Sequence, residues 1–229
     1  MRRVLVTGAV GGMGAAIVAD LARDREVIAT ARSADRLAEL TSATGATGWL
    51  GDLTDHAWLA ARVATLDRLD ELVHVAAVGT HVAPAVATAD DFRAQLEVNL
   101  IAPAELTRLC LPLLRAARGT VVFIGSGAST RPVPGSAVYP ATKHALKAYA
   151  DVLRLDESRN GLRVSTVAPG PTATAMYEKS QREGGRLYEP ERLIDPASVA
   201  RTVRFVLDAT DDVHLTDVAV RPRQELNPA

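Results

Sequence analysis

A chain of 229 residues, 48 % of them hydrophobic, is long enough to bury a sizeable core and is read as one α/β domain. Its 26 basic and 27 acidic residues leave a formal charge of −1, which argues against the cationic excess that nucleic-acid binding needs. The lone cysteine, Cys110, permits no internal disulfide; no apolar run approaches the roughly 20 residues of a membrane span, the first strand begins too early for a signal peptide, and a cytoplasmic protein without nucleic-acid or membrane partners is expected.

The first element is the apolar run Val4-Leu5-Val6, followed at once by TGAVGGMG at 7–14 and a helical pattern over 13–23. Strand, glycine turn and helix N-terminus form a cradle for a pyrophosphate, because the free N–H groups carry partial positive charge and glycine lets phosphate approach the main chain. A second strand at 26–31 ends in VIATARSADR. No acid stands at Thr30 or Ala31 to hold a ribose 2′-hydroxyl, whereas Arg32 offers a planar fork suited to a 2′-phosphate. NADP(H) is therefore favoured, with NAD(H) left possible. Asp35 is read as a helix N-terminal charge.

A helix over 34–41, a strand over 48–50 and the stretch GDLTD lead to a helix over 56–66. There Asp52 has two readings, cofactor contact or helix cap, with Thr54 and Asp55 as rival caps. Strands at 71–75, 120–124, 163–167 and 218–220 alternate with helices at 91–116, 141–159 and 196–207. The strands are apolar without alternation, as in a sheet covered on both faces. The order implies a Rossmann-type, doubly wound parallel sheet of seven strands, one domain over 1–229. The polar stretch 171–195, broken by Gly184-Gly185 and Pro190, is expected to be a substrate lid.

YPATK places Tyr139 and Lys143 on one helix face. Pro140 requires Tyr139 to lie in the first turn. A phenol beside an ammonium is expected to titrate below its usual value of about 10 and to serve as general acid and base. Ser126 lies thirteen residues upstream, at the carboxyl end of TVVFIG, where open α/β sheets bind ligands. Asn99 lies in EVNLIAP, on the helix before that strand.

Thr7-Gly8-x-x-x-Gly12-x-Gly14, the order Asn99, Ser126, Tyr139, Lys143, and the Pro-Gly-x-x-x-Thr of APGPTAT at 168–174 together resemble the short-chain dehydrogenase/reductase family over almost the full length. The resemblance implies an NADP(H)-dependent oxidoreductase that moves a hydride between nicotinamide and a carbonyl or alcohol. In it Tyr139 handles the proton, Ser126 holds the substrate oxygen, Lys143 binds ribose and lowers the Tyr139 pKa, and Asn99 positions a relay water. The cofactor would be held by Thr7, Gly8, Gly11, Gly12, Met13 and Gly14, by Arg32, by Asp52 and Leu53 at the adenine, by Ala76 and Ala77, and by Pro169, Gly170, Thr172 and Thr174 at the carboxamide, besides Tyr139 and Lys143. A homodimer through the helices near 91–116 and 141–159 is also implied.

The chain departs from the family at several points. VHVAAVG replaces Asn-Asn-Ala-Gly, with His74 read as a core histidine. The basic residue that NADP-preferring members often carry in the glycine loop is replaced by Gly11 or Gly12, and the tail HLTDVAVRPRQELNPA lacks the usual Gly-Gly ending. Gly8, Gly11 and Gly14 also fit the longer branch of the superfamily, so an epimerase or dehydratase stands as one alternative; a non-catalytic NADP-sensing regulator is another. His81, Arg131 and His144 flank the expected pocket without metal-ligand spacing, His144 is expected to point away from Tyr139, and Met176, Tyr177 and Tyr188 are placed in the lid.

Overall fold

Strands that are apolar on both sides need cover on both faces, and helices supply it here. The computed structural model describes residues 1–224; the last five residues of the tail lie outside the described residues. Strands β1 (Arg2–Val6), β2 (Arg25–Ala31), β3 (Thr47–Leu50), β4 (Glu71–His74), β5 (Thr120–Ile124), β6 (Arg163–Pro169) and β7 (Asp217–Val220) form one sheet in the order β3-β2-β1-β4-β5-β6-β7. Every neighbouring pair is parallel. The helices are α1 (Gly12–Leu21), α2 (Ala34–Thr44), α3 (His56–Val63), α4 (Ala89–Leu96), α5 (Ala102–Ala117), α6 (Val138–Glu157), α7 (Ala175–Glu183) and α8 (Pro196–Leu207).

Two apolar layers sandwich the sheet. Ile17, Val18 and Leu21 of α1 meet Val203, Val206 and Leu207 of α8 on one face. Leu59 of α3, Leu106 and Leu114 of α5, and Leu146 and Leu153 of α6 fill the other. Strand order reverses between β1 and β4, so the loops leaving these strands diverge and open a crevice at their carboxyl ends. At the opposite end the carboxylate of Glu71, 2 % exposed, accepts from Arg25 Nε at 2.8 Å and Arg2 Nη1 at 3.3 Å, while Arg25 also pairs with Asp24 at 3.0 Å and with Asp208. Among the described residues no helix is long and apolar enough to cross a membrane.

The fold corrects two expectations. The single helix expected over 91–116 is α4, a wide π-helical turn at Glu97–Ile101, and α5. Proline at 103 has no N–H to give the Asn99 carbonyl four residues back, so regular α-helical bonding fails there. The irregular stretch expected over 171–195 contains α7, which buries no residue. The Thr174 hydroxyl accepts from Tyr177 N at its start, and Glu178–Arg182 and Glu183–Lys179 pairs run along it. Ala173 N donates to Ile194 O and Ile194 N to Pro171 O, each at 2.9 Å, which staples the two ends of the segment together.

Candidate active site

A cavity of about 410 Å³ occupies the crevice beyond β1, β2 and β4. Its floor is the glycine turn. Gly8 has φ +62°, and a Cβ there would stand 2.7 Å from the Ala76 Cα. A Cβ on Gly14 would stand 2.2 Å from the Gly8 carbonyl oxygen, so only glycine lets α1 start this close to the turn. Gly11, Gly12 and Met13 line the cavity, and Ala76 and Ala77 form the facing wall. Gly11 caps α1 without a side-chain bond, which leaves the first N–H groups of the helix for a ligand. Thr7 does not line the cavity. Its buried hydroxyl accepts from Val75 N at 3.1 Å and Ala76 N at 3.2 Å and locks the turn to β4.

Arg32, Ser33, Asp52 and Leu53 form the rim beyond β2 and β3. Arg32 Nη1 lies 3.6 Å from Asp52 Oδ2, with the side chains 68 % and 44 % exposed. The N–H of Thr54, at 2.9 Å, does most to hold the Asp52 carboxyl below the usual range, with the Thr54 hydroxyl and Arg32 adding to it against partial burial. Asp55, not Asp52, caps α3 through Trp58 N at 2.9 Å, so the helix-cap reading of Asp52 falls away. Asp35 sits in the first turn of α2 as expected. Trp58 packs so closely on Gly51, another lining residue, that a Cβ there would come within 2.2 Å of the indole. Sequence reading missed Arg36, which reaches from α2 to donate to the Val10 carbonyl in the glycine turn and also lines the cavity. The signal was available as a second arginine four residues beyond Arg32, one helical turn on.

A second cluster lies where β5 runs into α6. Tyr139 occupies the first turn of α6, after Ala137 at the cap, as Pro140 requires. Lys143 follows one turn later, buried; its Nζ donates to Ile124 O at 2.9 Å and lies 5.8 Å from the centre of the Tyr139 ring. The Ser126 hydroxyl accepts from Ala128 N at 3.1 Å, which fixes the turn after β5. The Tyr139 ring lies against Gly79, where a Cβ would approach Cδ2 to 2.9 Å. The expected lowering of the Tyr139 pKa is reversed: burial raises it, and the Ser126 side chain pulls it part of the way back. Burial also brings Lys143 down to about 8. Exclusion of water thus outweighs the help that the Ser126 side chain gives the phenolate.

Asn99, fully buried in the π-helical turn, spends its side chain on the loop after β4. It accepts from Val78 N and donates to Val78 O, both at 2.8 Å, and donates to Thr142 Oγ1 at 3.0 Å. Of the residues after β6, Thr174 lines the cavity. Pro169 ends the strand, Gly170 N bonds Val220 O at 2.7 Å, and Thr172 donates to Gly170 O at 2.9 Å, so these three shape the turn. Met176 lines the cavity at the start of α7. His144 is exposed and its Nδ1 contacts Pro140 O, away from Tyr139. His74 is a core residue: it stacks on Phe123 with centroids 4.8 Å apart and meets Thr107 Oγ1 at 2.8 Å. Burial, then the Lys143 charge, lowers it to about 3. Thr107 donates to Pro103 O, so Nε2 carries the imidazole proton and the buried Nδ1 keeps a bare lone pair.

The family described as short chain dehydrogenase matches residues 2–184. An uncharacterized short-chain type dehydrogenase/reductase of Sinorhizobium fredii is 34 % identical over 95 % of this chain and 90 % of its own length. An NADP-dependent 3-hydroxy acid dehydrogenase of Salmonella typhi is 28 % identical over 96 % of this chain and 94 % of its own. Among solved structures, a metagenomic short-chain oxidoreductase in complex with NADP is 28 % identical with a TM-score of 0.83, covering 97 % of this chain and 98 % of that one.

Proposed function

Because the chain belongs to the short-chain dehydrogenase/reductase family, we propose that it is an NADP(H)-dependent oxidoreductase interconverting the carbonyl and alcohol forms of a small organic substrate, with Tyr139 as the proton donor and acceptor. The observation that carries this reading is the convergence of Tyr139, Ser126 and Lys143, from α6 and the turn after β5, with the Tyr139 ring against Gly79, next in the chain to the Ala76–Val78 wall of the glycine-floored cavity. The cavity suits a dinucleotide. Its floor presents main-chain N–H groups at a helix start, its wall is two alanines, and its rim carries arginine where a 2′-phosphate would lie. Gly8, Gly11, Gly12, Met13, Gly14, Arg32, Asp52, Leu53, Ala76, Ala77 and Thr174 would hold it, with Thr7 bracing the turn from behind. Bound NADP(H) supplies or accepts the hydride.

The protein's own groups handle the oxygen and the proton. In reduction the Tyr139 phenol donates its proton to the substrate oxygen, and in oxidation its phenolate takes the hydroxyl proton. The Ser126 hydroxyl shares the charge that develops on that oxygen. Lys143, with its pKa near 8, carries its charge at neutral pH, stands next to the phenol and favours phenolate once the burial penalty is met. The Asn99 main-chain carbonyl, whose α-helical partner would be the N–H that proline 103 lacks, would hold a water that returns protons toward Lys143. The segment 171–195 closes over this end as a lid, presenting Met176 to the cavity.

The test is cofactor oxidation against a panel of aldehydes, ketones and oxo acids. Tyr139→Phe lowers turnover by about 10²–10⁴-fold, while NADPH affinity, measured by calorimetry, stays within about twofold. Turnover retained in the variant overturns the role of Tyr139. A wild-type protein that binds NADPH and turns over no compound overturns the enzyme reading.

A further inference from the structure

The amino ends of the strands carry a second cavity, of about 390 Å³, at the opposite end of the sheet from the glycine-floored one. Arg2 and Glu71 at the starts of β1 and β4, Thr120 and Arg163 at the starts of β5 and β6, Arg118 at the end of α5, and Asp211 beyond α8 line it. The oxidoreductase chemistry proposed above uses none of these residues.

The backbone at Arg118 is unusual. Its φ is +46°, the one positive value at a residue other than glycine among the described residues. A helix end of this shape ordinarily takes glycine, because a Cβ there is strained. Glycine stands next in the chain, at 119, but a close approach requires it there: a Cβ would come within 2.2 Å of the Asp70 carbonyl oxygen. The Arg118 stem lies against Gly161, another lining residue, with Cγ and Cδ 3.4 Å from where a Cβ on that glycine would stand. Its guanidinium meets no carboxylate or carbonyl among the described residues. Strain kept at a residue whose charged end has no structural partner points to function.

The charges around this cavity do not cancel. Asp70 accepts from Arg68 at 2.8 and 3.0 Å, and Glu71 is held by Arg25 and Arg2. Arg163 spends its donors on neutral oxygens, Thr120 Oγ1 at 3.2 Å and Ala209 O at 2.7 Å, so no acid answers its charge. Asp211, which has no cation partner among the described residues, opposes Arg118 and Arg163 with a single charge. Two guanidinium forks against one carboxylate leave a cationic surplus. Such forks match phosphate oxygens, and a phosphate monoester has three oxygens to share between the two. The volume accommodates a small-molecule ligand. We propose that this cavity is a second ligand site, which takes a phosphate monoester of sugar-phosphate size held by Arg118 and Arg163.

Titration calorimetry on the full chain tests this, with NADP⁺ in excess to fill the glycine-floored cavity. The probes are ribose 5-phosphate, ribose, and succinate as a dianion without phosphorus. Ribose 5-phosphate is expected to bind with a Kd of about 1 mM or tighter, succinate more weakly, and ribose not at all. Arg118→Gly and Arg118→Gln each weaken ribose 5-phosphate by about 10- to 100-fold. Glycine suits the positive φ, so the Tm of that variant without ligand does not fall, and its loss of binding is not a loss of fold. No binding of ribose 5-phosphate by the wild type, undiminished binding by either variant, or succinate bound as tightly overturns the proposal.

Discussion

Thr7→Val removes one oxygen atom and changes little else. In the wild type that oxygen accepts two main-chain N–H groups, from Val75 at 3.1 Å and Ala76 at 3.2 Å, at a site 1 % exposed. Valine has nearly the same shape, so no cavity opens and the loss is electrostatic. Each buried donor left unsatisfied costs about 1–3 kcal/mol, and a value near 3 kcal/mol is expected for the pair. For a chain of this length that corresponds to a fall in Tm of about 6 °C, at roughly 2 °C per kcal/mol. The Thr7 N–H bond to Val73 O is untouched, so β1 stays paired and the damage falls on the wall at Ala76. Thermal unfolding followed by circular dichroism measures the effect, with Thr7→Ser as the control. Serine keeps the hydroxyl and loses one methyl, a change of about 1 kcal/mol. A valine variant that melts with the serine variant would refute the reasoning, because the two N–H groups would then have found other acceptors.

Two further outcomes are expected. Glu71→Gln strips Arg25, whose side chain is 4 % exposed, of its most buried carboxylate partner; the expected loss is about 3 kcal/mol, read from urea midpoints, and an unchanged midpoint shows that Asp24 and Asp208 suffice. His74, with a folded pKa near 3 against about 6.5 unfolded, binds fewer protons folded than unfolded between those values. Its contribution to stability is therefore complete above pH 6.5 and shrinks by about 1.4 kcal/mol per pH unit as pH falls toward 3. The stability gap between wild type and His74→Asn should narrow at that rate below pH 6.5, and a constant gap down to pH 4.5 contradicts the neutral, buried imidazole.

Legibility in the sequence followed the range of the interactions. Runs such as TVVFI and RVSTVAP, apolar on both sides, announce buried parallel strands whatever they pair with, and β5 and β6 appear where expected. Tyr139 and Lys143 share a helix face by spacing alone. The π-helical turn was hidden because EVNLI is as helical in composition as its flanks; the clue was the proline at 103, four residues past Asn99. The helix α7 was hidden for the opposite reason, since it buries nothing and leaves no apolar stripe to find. Arg36 reaches a carbonyl 26 residues away, and the Thr7 hydroxyl answers N–H groups on a strand that adjoins it only in the folded sheet. The direction of the Tyr139 shift depends on burial, which no spacing reports.

Both tryptophans of the chain stand near one another at a single end of the crevice: Trp49 meets Trp58 edge to face with centroids 6.5 Å apart, and Trp58 abuts Gly51. Indole emission responds to whatever settles beside it, so arrival of a ligand at that rim carries its own light signal. The phenol end holds no such fluorophore. Stopped-flow traces at the two wavelengths, indole and reduced nicotinamide, therefore time anchoring and chemistry separately, in an unlabelled protein.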